Sequence, residues 1–90
     1  MKTLQIKVYG RVQGVFFRSS IKEKAENFGI SGWVKNEPDG TVLIVAQGPE
    51  NSLKELIKWC YNGIGGARVT KIESEPIEPR EKFEKFEIKL

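Results

Sequence analysis

An α+β fold, with two helices laid on one face of an antiparallel sheet, is what this 90-residue sequence predicts. Short segments with the alternation or apolar run of strands are interleaved with two longer segments of helical spacing. Gly, Pro and Asn punctuate the junctions between them. A chain of this length has room for one core, so residues 1–90 are expected to form a single domain.

Residues 3–9 alternate, with Leu4, Ile6 and Val8 on one face, as a half-buried strand requires. Gly10 to Gly14 break that pattern. A helix is predicted over about 17–28, where Ile21, Ala25 and Phe28 fall at i, i+4 and i+7, with Gly29 as its left-handed cap. A second strand runs over about 30–36. Pro38-Asp39-Gly40 reads as a tight turn into a third strand, 41–47, which makes a hairpin with the second. Gly48-Pro49-Glu50 opens a second helix, with proline preset for the first turn and a glutamate near the positive helix end. Leu53, Leu56, Ile57 and Cys60 form its apolar stripe and Asn62-Gly63 closes it. A fourth strand is expected at about 67–75. After a Pro/Glu-rich loop comes a short terminal strand in which Phe86, Ile88 and Leu90 alternate.

The order β-α-β-β-α-β, plus a short extra C-terminal strand, is the split βαβ or ferredoxin-like pattern, a sandwich with sheet order 4-1-3-2. Its connectivity has a geometric consequence. The first helix returns the chain, so strands one and two run the same way and their C-terminal ends share one sheet edge. Gly10 and Asn36 mark those ends. With strand three between them, they lie about 10 Å apart, two ladder spacings.

Composition removes several mechanisms. The sequence has no histidine and a single cysteine, Cys60, so neither a Ser–His–Asp nor a Cys–His nucleophile can be assembled. It also lacks the residues of a zinc site, and its glutamates are spread along exposed faces, so no metal or other cofactor is expected. The net charge of +3 permits an anionic ligand, but lysines and glutamates interleave at 22–26 and 81–85, which reads as a solvated salt-bridged surface. No apolar run reaches the roughly 20 residues of a membrane span, and the N-terminus lacks a signal-peptide core, so a cytoplasmic protein is expected.

Gly10-Arg11-Val12-Gln13-Gly14-Val15-Phe16-Phe17-Arg18 joins a strand end to a helix N-terminus. Backbone N–H groups there have no intrahelical acceptor, and the helix dipole adds positive charge. Gly14 lets successive amides converge on an anion. Arg18, in the first turn, opposes the dipole unless an anion sits between the two. Spacing alone leaves a plain surface loop open as the other reading, with Phe16 and Phe17 serving the core. A cysteine-phosphatase loop would need Cys six residues before the arginine, where Val12 stands. Asn36 likewise reads as turn chemistry or as a functional amide.

The segment 10–18 strongly resembles the first signature of the acylphosphatase family. Gly32-Trp33-Val34-Lys35-Asn36, then Asp39-Gly40-Thr41-Val42 and Ala46-Gln47-Gly48, resemble the second. The resemblance implies hydrolysis of a carboxyl-phosphate anhydride to carboxylate and phosphate, without metal or covalent intermediate. It puts the phosphate-binding arginine at Arg18, the water-positioning asparagine at Asn36, and the phosphate cradle at the amides of Gly14, Val15, Phe16, Phe17 and Arg18. It implies a small acyl phosphate as substrate and inorganic phosphate as product and competitor. The family often has a small residue where Phe16 stands. A monomer is expected, with no nucleic-acid or membrane partner. Two rivals keep the fold and change the role. Similar domains begin large hydrogenase-maturation proteins, and a non-catalytic ferredoxin-like module could bind nucleic acid or another anionic partner, with Tyr9 and Trp33 as the sheet aromatics.

Overall fold

The computed structural model describes residues 1–14, 16–62, 66–78 and 82–90. Its elements are β1 (Lys2–Arg11), α1 (Phe17–Asn27), β2 (Ser31–Asn36), β3 (Val42–Gly48), α2 (Glu50–Tyr61), β4 (Arg68–Pro76) and β5 (Phe86–Lys89). Val15 and residues 63–65, where part of the α2 stop signal was read, lie outside the described residues.

The strand order is β4-β1-β3-β2-β5. The first four follow the expected 4-1-3-2 antiparallel arrangement. The terminal strand adds beside β2 and runs parallel to it, pairing Gly32 with Phe86 through Lys35 with Lys89, so the sheet as a whole is mixed. Both helices cover one face: α1 lies over β2 and β5, α2 over β3 and β4. Between the layers, Ile6, Val8, Val34, Val42, Ile44 and Ala46 from the sheet meet Phe17, Ile21 and Ala25 from α1 and Leu53, Leu56 and Cys60 from α2. The period-2 and period-3.6 stripes of the sequence are these two sides of one core.

Two details differ from the sequence reading. β1 does not stop before Gly10 but runs on to Arg11 through a bulge between Tyr9 and Gly10. Gly10 makes that possible, because its φ is 125° and a Cβ there would fall on the Arg68 carbonyl oxygen. Pro49 is the cap of α2 rather than its first residue, with φ −62° and ψ 145°.

Register sets the site. Val8 of β1 and Asn36 of β2 both face Val42 across their ladders. The ends of β1 and β2 therefore flank one β3 residue, and the end of β5 joins them because Lys89 pairs with Lys35. The approach to β5 is held by a buried polar link. The Gln47 side chain donates to Thr3 Oγ1 (3.0 Å) and accepts from the Phe83 amide (3.0 Å), and the Gly32 amide donates to the Lys85 carbonyl (3.0 Å).

Candidate active site

The two helices begin differently. α2 carries Glu50 in its first turn, on the side the dipole favours. The first turn of α1 has no acidic residue, and its cap, Phe16, makes no side-chain hydrogen bond to it. Arg18 stands there instead, so a guanidinium and uncapped amides share one helix end. Phe16 has φ 60° and ψ 20°, the left-handed region, and Gly14, two residues before it, has φ 74°. A bulky residue held there costs about 1–3 kcal/mol. The Phe16 carbonyl is gripped in return, accepting from the Ser19 hydroxyl (3.0 Å) and the Ser20 amide (3.2 Å).

A cavity of about 360 Å³ opens over this helix end. Val12, Gly14, Phe16, Arg18, Asn36 and Ile88 contribute to its wall. The structure thus brings Arg18, Asn36 and the described part of the 14–18 loop around one space. Arg18 takes no part in a salt bridge among the described residues. One guanidinium nitrogen donates to the Lys89 carbonyl (3.3 Å), which orients the fork from β5. Asn36 is half-buried, and its Oδ1 is shut off from solvent with no hydrogen-bond partner among the described residues. A half-turn of that amide exchanges donor and acceptor, so either end is available for a ligand at the cavity wall. Trp33 and Lys35 lie on the opposite, open face, with Lys35 Nζ 5.7 Å from the Trp33 ring centre.

Gln13 is a site residue the sequence reading passed over. Its side-chain amide donates to the carbonyls of Glu37 (2.9 Å) and Thr41 (2.8 Å), which belong to the turn following Asn36. One side chain therefore fastens the β1–α1 loop to the β2–β3 turn. Its acceptors are main-chain oxygens, which leave no mark in a sequence. Gln13→Ala is expected to cost about 1–3 kcal/mol of stability by orphaning those carbonyls. It is also expected to lower kcat about 10-fold through misplacement of Asn36 against the loop. Melting temperature and steady-state kinetics on the same preparation check both, and an unchanged kcat would deny the coupling.

The same turn depends on Asp39. Its carboxylate accepts from the Thr41 hydroxyl (2.6 Å) and amide (3.0 Å) and pairs with Lys7 (3.1 Å). These donors, the Thr41 hydroxyl foremost, lower its pKa from 3.8 to about 2. A carboxylate whose pKa is depressed by folding stabilises the fold above its unfolded value, and that contribution is lost as pH falls through the folded value. The difference in melting temperature between the native protein and Asp39→Asn is therefore expected to be full at pH 6 and to shrink between about pH 4 and pH 2. A pH-independent difference would contradict the assignment.

Cys60 is buried in the core, where burial pushes its thiol up to about 12. It is a packed apolar group, not a thiolate. Among the described residues no three His, Cys, Asp or Glu side chains gather as a metal site would require.

The acylphosphatase family model matches residues 4–88. The chain belongs to the acylphosphatase family. It is 50% identical over 74 residues to an acylphosphatase of Rubrobacter xylanophilus, covering 82% of this chain and 67% of that one. The crystal structure of acylphosphatase from Bacillus subtilis superposes with a TM-score of 0.95 at 39% identity over the whole of both chains. A structure of T. kodakarensis HypF also matches all of this chain, with a TM-score of 0.89 and 33% identity, but over only 12% of its own length. The nucleic-acid module is not favoured. On the open sheet face the lysines beside Tyr9 are themselves paired, Lys7 with Asp39 and Lys71 with Glu73.

Proposed function

We propose that the chain hydrolyses acyl phosphates in the cavity between the β1–α1 loop and Asn36, with Arg18 as the phosphate-binding side chain. The observation that carries this is the shared cavity: Arg18 at an uncapped helix start and a half-buried Asn36 line the same space. Amides of residues 14–18 and the guanidinium hold the phosphoryl oxygens, and their grip tightens as charge redistributes in the transition state. The Asn36 amide orients one water in line with the phosphorus–oxygen bond. The water oxygen bonds to phosphorus, the bond to the carboxyl oxygen breaks, and its electron pair leaves with the carboxylate. The water's proton passes to a phosphoryl oxygen. A carboxylate is a weak base and leaves without a general acid, which suits a chain with no histidine.

Nothing in this scheme needs a covalent intermediate. Ser19 lines the cavity, but its hydroxyl is engaged with the Phe16 carbonyl and has no imidazole base. The working form in this proposal is a cytoplasmic monomer and a single domain of residues 1–90; the assembly of sheet, helices and cavity within one chain supports the monomer and the single domain. No helix among the described residues is long and apolar enough to cross a membrane.

The test compares benzoyl phosphate with an aromatic phosphate monoester. Rapid release of phosphate from the first, inert behaviour of the second, and competitive inhibition by inorganic phosphate are expected. Equal or reversed reactivity would refute the reading.

A further inference from the structure

We propose that Phe16 and Ile88 form an apolar shelf for the acyl group, so that this site prefers acyl phosphates with an uncharged hydrocarbon or aromatic chain. The inference rests on the acyl phosphate reading above and specifies its substrate class. Phe16 lines the cavity yet is 86% exposed, on a backbone held at positive φ. Ile88, on the edge strand β5, lines the same cavity and is 37% exposed. Folding accounts for Ile88, which continues the stripe begun by the buried Phe86, but not for Phe16. Phe17 beside it fills the core, whereas the Phe16 ring is left in water at a position where glycine would fit the backbone better. Exposed apolar groups at the rim of a cavity are what a ligand's apolar part covers.

The cavity's size and charge agree. The three phosphoryl oxygens and the bridging oxygen, at a water's share of about 30 Å³ each, need on the order of 120 Å³, about a third of the 360 Å³ present. The space that remains is lined chiefly by Val12, Phe16 and Ile88, so an acyl chain extending from the phosphoryl group lies against apolar side chains. Arg18 is the only charged side chain among the described residues of that wall, and the phosphoryl group occupies it. An acyl group bearing a second charge finds no partner there, while a hydrocarbon finds a ring and a branched side chain.

Hexanoyl and acetyl phosphate test this, because their carboxylates leave with nearly equal basicity. The native enzyme is expected to show a kcat/KM ratio of about 10 in favour of hexanoyl phosphate. Phe16→Ala and Ile88→Ser are each expected to reduce that ratio at least about threefold. A ratio taken within one preparation cancels any general loss of loop geometry. A native ratio near unity, or the same ratio in both variants, overturns the shelf while leaving acyl phosphate hydrolysis standing. Failure of the native protein to cleave either compound overturns both.

Discussion

Replacing Asn36 by alanine is expected to lower kcat for acyl phosphate hydrolysis by about 1,000-fold, while inorganic phosphate competes almost as well as before. The split follows from where the residue stands. Asn36 ends β2 opposite Val42, two ladder spacings from β1, whereas the proposed phosphate donors belong to the loop and helix that follow β1. Removing the amide takes away the water's orientation but none of those donors. A 1,000-fold loss corresponds to about 4 kcal/mol of transition-state stabilisation. The fold should not suffer, because Asn36 Oδ1 has no partner among the described residues and a buried lone acceptor costs about 1–3 kcal/mol. A melting temperature equal to or above that of the native protein, together with collapsed turnover, is the expected signature. Steady-state kinetics with phosphate as inhibitor, alongside thermal unfolding, reads all three quantities. Near-normal turnover would remove the water-positioning role.

Arg18→Ala is expected to behave differently, losing phosphate affinity and turnover together. Arginines that stabilise phosphoryl transfer contribute about 10³–10⁵ in rate, and a fall in kcat/KM of that order is expected here. The phosphate inhibition constant should rise in parallel, which separates this variant from Asn36→Ala. Arg18→Lys keeps the charge but loses the planar fork and its bond to the Lys89 carbonyl, so intermediate activity is expected. Stability should change little. Deleting a cation from a helix first turn gains about 0.3–1 kcal/mol, and the lost hydrogen bond to β5 offsets it. An Arg18→Ala enzyme with unaltered phosphate inhibition would place the anion elsewhere.

What was legible in the sequence was local or periodic. The alternation of Ile6 and Val8 and the i, i+4 spacing of Ile21 and Ala25 predicted faces that are buried against each other. Arg18 stood out because a cation in a helix first turn runs against the dipole, and the structure leaves that turn without an acid or a cap. Asn36 was ambiguous, since an asparagine before a turn is ordinary chemistry. Its significance comes from the sheet register, which depends on β3 inserting between β1 and β2. The parallel docking of β5 was not readable, because it is decided by contacts between distant segments, including the link from Gln47 to Thr3 and the Phe83 amide. The left-handed conformation of Phe16 was equally hidden. Local propensity argues against it, and the loop's neighbours impose it.

A crystal structure with bound phosphate bears most directly on the account. The expected result is an anion within hydrogen-bond reach of the Arg18 guanidinium and the amides at the start of α1, with a water held by the Asn36 side chain beside it. Phosphate bound anywhere else, or bound there with the Asn36 amide turned away, would contradict it.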